Sequence, residues 1–360
     1  MMKRVILTTG GTGGHIFPAL AVAEELKRRH PDIRILFVGG RYGREADFAA
    51  EAGLEFVGLP VRGVLGRGLK AVSALFGMAR AVVQAIGIIG SFAPDAVVGF
   101  GGYASFAPVL AARLRGVPCA VHEQNSVPGA SNRLLAKLAK RVFLSFPDTH
   151  KAFSAAKCIL TGNPVRDLIR KMADEPFVQR TTRHLLVVGG SLGARALNDA
   201  VIANISGLRD AGFELRHQTG EADLARVKTA YTNAGVDTET SVAPFIRDMK
   251  DAYRWADIVL CRSGATTVAE LAVAGKPSVL VPFPYATHDH QTVNARFLAD
   301  SGAAIIVPQA ELAGKDLTQL ITDILSEPGR LARMADAARA LGAPNAAAKL
   351  AEGIENMTNA

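Results

Sequence analysis

Three glycine-rich turns carry the residues best placed to do chemistry. In "RVILTTGGTGGHIFPALAVAEEL", residues 4–26, an apolar run breaks into Gly10, Gly11, Gly13 and Gly14 and is followed at once by His15. Glycine admits backbone angles closed to other residues and lets a ligand approach the main chain. The N–H groups at the start of a following helix favour an anion. Gly189-Gly190-Ser191-Leu192-Gly193-Ala194-Arg195 repeats the arrangement, and "GFGGYAS" at 99–105 adds a third turn. Together they fit a phosphate-bearing ligand, but not its two most familiar forms. A dinucleotide fingerprint starting at Gly11 needs glycine where Ile16 stands, and no GxxxxGK[ST] loop occurs.

A helix N-terminus alone contributes about 0.3–1 kcal/mol to an exposed anion and up to ~2 kcal/mol to a partly buried one. That is too little to expel a charged leaving group. Preorganised donors in a dry site are worth roughly 2.7–4 kcal/mol each. Departure of a diphosphate therefore requires several N–H groups and hydroxyls, with Ser191 and Ser263 as candidates, and a cation such as Arg166. No DxD-like pair or ligand cluster points to a metal in that role. His15 and the "HEQN" run at 122–125 supply groups that exchange protons near neutral pH; the alternative for His15 is that it caps its own turn. In "CRSGATTVAELAVAGKP", residues 261–277, Thr267 and Glu270 have the spacing of a capping box. Alternatively, Glu270 accepts from ribose hydroxyls, as carboxylates do in nucleotide sites. His288 and His290 lack a third metal ligand at a recognisable spacing, so their loop reads as a polar one with Gln291 and Asn294 facing a sugar.

These residues need strands to hold them. Apolar, β-branched runs ("RVILTT", "RILFVGG", "DAVVGFGGY", "CAVHEQN", "RVFLSF") alternate with helix-period segments at 16–29, 44–52 and 105–115. Such alternation predicts βαβ units around a buried parallel sheet. At "HLLVVGGSLGARALNDAVI" the pattern begins again, and "FELRHQ", "DIVLCRSG", "PSVLVPF" and "AAIIVP" continue it. The expectation is two doubly wound α/β domains, residues 1–163 and 164–343, divided where Asn163 and Pro164 break the periodicity, with an Ala-rich helix at 344–360. In such sheets ligands sit beyond the carboxyl ends of the strands, and two facing sheets would enclose a cleft.

The 360 residues suit two cores, and 49% hydrophobic with 21% charged residues is a globular composition. A net charge of +8 implies an anionic partner. With 6% aromatic residues and no RNA-reading motif, nucleic acid is the weakest choice. Cys119, Cys158 and Cys261 lie far apart and predict a reducing compartment. The N-terminus enters a strand without signal-peptide sections, which predicts a cytoplasmic location.

Residues 71–93, "AVSALFGMARAVVQAIGIIGSFA", are apolar enough to raise a membrane span. Arg80 near the centre would cost about 2.5–3.5 kcal/mol, and three glycines and Gln84 interrupt the run. The expectation is a core-facing helix with Leu75, Ala79, Val82 and Ile86 on the apolar stripe. Just before it, "VRGVLGRGLKAV" mixes Arg62, Arg67 and Lys70 with Val64, Leu65 and Leu69. At about 1 kcal/mol per basic residue, this segment predicts reversible binding to an anionic membrane surface, with some apolar insertion.

Taken in order, "GGTGGHIFPALAVA", "GFGGYAS", "HEQN", "TGNPVR", "LVVGGSLGAR", "FIRDM", "CRSGATTVAE" and "HDHQTVNA" resemble the bacterial MurG family, UDP-N-acetylglucosamine:undecaprenyl-pyrophosphoryl-MurNAc-pentapeptide N-acetylglucosaminyltransferase. The likeness spans nearly the whole chain. It implies the GT-B fold, two Rossmann-like domains with parallel sheets facing across a cleft, and a C-terminal helix returning to the first. It also implies inverting, metal-independent transfer of GlcNAc from UDP-GlcNAc to the 4-hydroxyl of MurNAc in lipid I, forming lipid II, without a cofactor. The first domain would take the acceptor and the membrane, and the second UDP-GlcNAc. Implied partners are UDP-GlcNAc, lipid I, the cytoplasmic face of the cell membrane and other cell-wall synthesis proteins.

Carried over by motif, Thr12, Gly13, Gly14, Asn125, Arg166, Ser191, Ile246 and Gln291 would contact the donor. Ser263, Gly264, Ala265, Thr266, Thr267 and Val268 would border the nucleotide, with Glu270 on the ribose. His15 and Glu123 would activate the acceptor. Two positions depart from the pattern: Leu192 and His290 each stand where glutamine is common. The nearest rival, a UDP-GlcNAc 2-epimerase, would need no lipid acceptor and would leave the basic segment unexplained. A nucleotide-sugar sensor would tolerate loss of His15 and Glu123.

Overall fold

The computed structural model describes residues 2–61, 70–148, 150–178, 180–190 and 193–359. The chain forms two compact units, Met1–Asp167 with Ala343–Ala360, and Leu168–Gly342.

The first unit is built on seven parallel strands: β1 (Arg4–Thr8), β2 (Arg34–Gly40), β3 (Glu55–Leu59), β4 (Ala96–Gly99), β5 (Cys119–Glu123), β6 (Arg141–Leu144) and β7 (Cys158–Leu160). Their order is β3-β2-β1-β4-β5-β6-β7. The central strands are apolar on both faces because helices cover both: Val5, Ile6 and Leu7 of β1 and Val97 and Val98 of β4 are fully buried. β1 and β4 pair from Val5↔Ala96 to Thr8↔Gly99, so their following turns leave the sheet side by side. This is where the strand order reverses, the place open α/β sheets reserve for ligands.

Helix Gly13–Arg29 follows β1 and buries Ile16, Ala19, Val22, Ala23 and Leu26. It starts three residues earlier than the apolar period indicated, because Gly13 and Gly14 belong to its first turn. Lys27, Arg28 and Arg29 in its last turn complement the helix dipole. Helix Ala346–Asn359 returns to this unit and packs on helix Gly13–Arg29, where Glu355 meets Arg29 (2.7 Å) and His30 (2.8 Å).

Helix Lys70–Phe92 packs on helix Tyr103–Leu114, but not through the expected stripe. Its buried face is Ala81, Ala85, Ile89 and Phe92, whereas Ala79 is exposed and Val82 and Ile86 are only half-buried. A helix apolar nearly all round offers several stripes, and packing took the one whose alanines let another helix approach. The side chain of Leu75 and the segment 62–69, with Arg62, Val64, Leu65, Arg67 and Leu69, lie outside the described residues. Among the described residues no helix is long and apolar enough to cross a membrane.

The second unit repeats the plan with β8 (Arg183–Val188), β9 (Phe213–Gln218), β10 (Val242–Ala243), β11 (Ile258–Cys261), β12 (Ser278–Leu280) and β13 (Ala304–Ile306). The order is β10-β9-β8-β11-β12-β13, all parallel, with the reversal between β8 and β11.

Candidate active site

In the first unit the turns after β1 and β4 touch through backbone that only glycine allows. Gly10 N–H donates to Gly101 O at 3.1 Å. Gly102 has φ +77°, and a Cβ there would run into the Gly10 carbonyl. Gly11, at φ +94°, donates its N–H to Glu45 Oε1 (3.0 Å), which also accepts from Gly40 N–H at 3.3 Å. Glu45 is buried and anchors the turn. This role is not legible in the sequence, since a lone glutamate opening a short helix has no diagnostic spacing.

The next two glycines differ in purpose. A Cβ on Gly13 would lie 2.8 Å from the Phe17 ring, so this glycine makes room for Phe17. That ring meets Phe48 edge-on (5.2 Å) and lies under the Arg166 guanidinium at 4.7 Å, which places Arg166 in the first unit. A Cβ on Gly14 would meet nothing closer than Thr12 Oγ1 at 3.5 Å. Internal packing does not demand glycine there, and the neighbouring Thr12 is exposed.

His15 stands in the first turn of helix Gly13–Arg29, but it does not cap that turn. Its Nδ1 lies 2.9 Å from Gln124 Oε1, and Gly101 would bring a Cβ to 3.0 Å from the ring. Gln124 follows β5; its Nε2 reaches Phe100 O (2.8 Å) and His122 Nδ1 (2.9 Å). His122 is fully buried with Nε2 3.2 Å from Ser145 Oγ. Burial pushes its pKa down to about 3, so it is neutral at physiological pH.

The neighbouring Glu123 is tied into its own loop. It is buried, with Oε1 accepting from Asn125 N–H (3.0 Å) and Asn125 Nδ2 (3.3 Å), and Oε2 from Gly129 N–H (3.0 Å) and Asn132 Nδ2 (2.9 Å). Four donors occupy its two oxygens, which makes it the organiser of loop 123–132. Asn125 belongs to that organised loop.

In the second unit the turn after β8 is built the same way. Gly193 has φ +75° and leaves no room for a Cβ beside Thr219 O, and Gly189 N–H donates to Gln218 O at 3.2 Å. Ser191 and Leu192 lie outside the described residues. Gln218, buried at the end of β9, joins two loops: Nε2 donates to Gly190 O and Oε1 accepts from Ile246 N–H, each at 3.0 Å. Beneath it, His217 contacts Asn198 Oδ1 (3.0 Å) and Tyr231 Oη (2.9 Å), and burial pushes its pKa down to about 3.

After β11, helix Ala265–Ala274 begins behind Gly264, so Thr267 lies within the helix and no capping box forms. Glu270 is instead buried and accepts from Tyr253 Oη at 3.1 Å. Ser263 is also buried and donates to Gln291 O (2.8 Å), so its hydroxyl ties two loops together. Gln291 accepts from Phe283 N–H at 3.0 Å, and Asn294 donates to Ser263 O at 3.3 Å. Of the 263–268 run, Gly264 and Thr267 are half-open. Ser263, Ala265, Thr266 and Val268 are buried, and the Val268 N–H is used within the helix. The side chains of Ala265 and Val268 face the core.

Two Rossmann-like units, each with a glycine turn where its strand order reverses, define the GT-B class of glycosyltransferases. Glycosyltransferase family 28 matches here in both parts: its N-terminal domain over residues 5–144 and its C-terminal domain over 184–352. The UDP-N-acetylglucosamine--N-acetylmuramyl-(pentapeptide) pyrophosphoryl-undecaprenol N-acetylglucosamine transferase of Nitratidesulfovibrio vulgaris is 59% identical, covering 98% of this chain and 97% of its own. That of Lawsonia intracellularis is 50% identical over 100% and 99%. The crystal structure of Acinetobacter baumannii MurG, 35% identical, matches with a TM-score of 0.76 over 98% and 99% of the two chains. A UDP-GlcNAc 2-epimerase from Neisseria meningitidis matches at TM-score 0.70 over 98% and 100%, but at 15% identity the likeness is one of fold alone. The chain belongs to the MurG family of glycosyltransferases.

Proposed function

We propose that this chain transfers GlcNAc from UDP-GlcNAc to the 4-hydroxyl of the MurNAc sugar of undecaprenyl-pyrophosphoryl-MurNAc-pentapeptide (lipid I), forming lipid II. The observation that carries this reading is the setting of His15, an imidazole held by Gln124 beside two touching glycine turns at the reversal point of the first sheet. His15 takes the proton of the acceptor hydroxyl as that oxygen bonds to the sugar's C1. The bond from C1 to the diphosphate breaks, UDP leaves, and one displacement inverts the anomeric centre. Of the two expected catalytic residues, His15 keeps the role of base and Glu123 becomes the support of the loop beside it.

The first unit takes the acceptor, and Thr12, Gly14 and Asn125 are the donor contacts it offers. The second takes the donor through the turn at 189–193, the Ile246 N–H, the open start of helix Ala265–Ala274, and Gln291, with Glu270 toward the ribose. N–H groups and Arg166 carry the leaving diphosphate without a metal. Radiolabelled GlcNAc transfer to a short-chain lipid I analogue, with chelator present, tests this. Wild type transfers, and His15→Ala loses about 10²- to 10⁴-fold, the usual worth of a general base, while still binding UDP. Tight UDP-GlcNAc binding without transfer by the wild type would overturn the reaction.

The acceptor's lipid tail calls for peripheral attachment at the cytoplasmic membrane face. Helix Lys70–Phe92 supplies an apolar contribution: Phe76 is 74% and Val83 71% exposed, seven residues apart on one face, with the exposed Arg80 between them. Fully burying such a side chain contributes about 1.5–3 kcal/mol. Flotation with anionic vesicles is expected to recover wild type and to lose Phe76→Ser/Val83→Ser. Equal recovery of both, with no preference for anionic lipid, would rule this surface out.

A further inference from the structure

We infer that Gln124 is a positioning residue that fixes His15 in one tautomer, with the proton on Nδ1 and the lone pair on Nε2. The inference deepens the reading of His15 as the base and rests on it.

The two ends of an amide are assigned from their neighbours, and here the neighbours leave one solution. Phe100 O can only accept, so the amide nitrogen of Gln124 faces it at 2.8 Å. The amide oxygen then faces His15 Nδ1 at 2.9 Å. Two acceptors cannot share that contact, so Nδ1 carries the hydrogen. The second amide N–H points to His122 Nδ1 at 2.9 Å, which must therefore be the bare nitrogen of that ring. The His122 proton sits on Nε2, facing Ser145 Oγ at 3.2 Å.

His122 keeps the assignment locked. A second proton on its ring would set Nδ1–H against the amide N–H and drive Gln124 to turn over, which would present N–H to His15 and reverse its tautomer. His122 is fully buried, and burial holds its pKa at about 3, so the ring stays neutral over the working range. The Phe100 carbonyl, the Ser145 hydroxyl and the Gly162 backbone facing this chain are neutral, and a charge on His15 itself acts only to lower the His122 pKa further. The hydrogen bond on one imidazole nitrogen sets the state of the other. Gln124 thus leaves His15 Nε2 as the proton acceptor, and as an amide it orients the ring without adding a countercharge.

The first test is ¹⁵N NMR of histidine-labelled full-length protein, with the His15 signals assigned by their loss in His15→Ala. The Nδ1–H tautomer is expected in wild type, and a mixture with Nε2–H in Gln124→Leu. Alongside, Gln124→Leu is expected to lower kcat about 10- to 100-fold, with KM for UDP-GlcNAc and UDP binding unchanged. Wild-type His15 carrying its proton on Nε2 overturns the inference whether or not the variant folds. An inactive His15→Ala beside a fully active Gln124→Leu also overturns it, leaving the base in place. Retained transfer by His15→Ala removes the base itself.

Discussion

The two oxygens of Glu123 accept four hydrogen bonds from Asn125, Gly129 and Asn132, so Glu123→Gln sets an amide NH₂ against donors it cannot satisfy. The expected cost is about 1–3 kcal/mol per buried group left unpaired, read as a lower thermal midpoint. The acid limb of the pH–rate profile should stay where it is in wild type. A limb that moves would return Glu123 to the chemistry. Sequence spacing pointed to His15 and the glycines because their types are rare at such turns without a reason. It could not separate Glu123 from Gln124, adjacent in "HEQN", because their roles depend on partners 6–109 positions away. Glu45 and Gln218 were invisible for the same reason: each ties two backbone segments that meet only in the fold.

Elements were more legible than their partners, and the gaps have a pattern. The strands not foreseen are β3, β7 and β10, and all three lie at sheet edges. An edge strand need not be apolar on both faces, so it lacks the continuous hydrophobic run that betrays a central one; β7, for instance, leaves Leu160 exposed. The Thr267/Glu270 spacing misled because helix Ala265–Ala274 starts two residues before it. Helix Ala346–Asn359 allows a sharper prediction. Gly353 faces the buried ring of Phe143, and any Cβ there would overlap it. Gly353→Val is expected to cost about 1–3 kcal/mol or more through overpacking, with Gly353→Ala in between. Unchanged urea midpoints for both would show that the helix does not seat against β6.

At the scale of the molecule, each unit carries a buried neutral histidine, His122 in the first and His217 in the second. Their pKa values fall from an ordinary 6.5 to about 3 on folding. Between those values the unfolded chain binds more protons, so stability is complete above pH 6.5 and declines as the pH falls toward 3. The slope is about 1.4 kcal/mol per pH unit for each histidine, or roughly 2 kcal/mol per unit of structure by pH 5. Calorimetry at pH 7 and pH 5 should show the thermal midpoints dropping by several degrees, and flat midpoints would mean that neither ring is sealed from water.

The first unit is discontinuous: it ends at Asp167 and resumes only at Ala343. On the ribosome, its sheet must therefore wait while residues 168–342 are made, roughly 10–35 seconds at ~5–20 residues per second. Throughout that interval, the surface that will receive helix Ala346–Asn359 stands bare, an invitation to chaperones. A premature stop just after the second unit would therefore do its damage to the first.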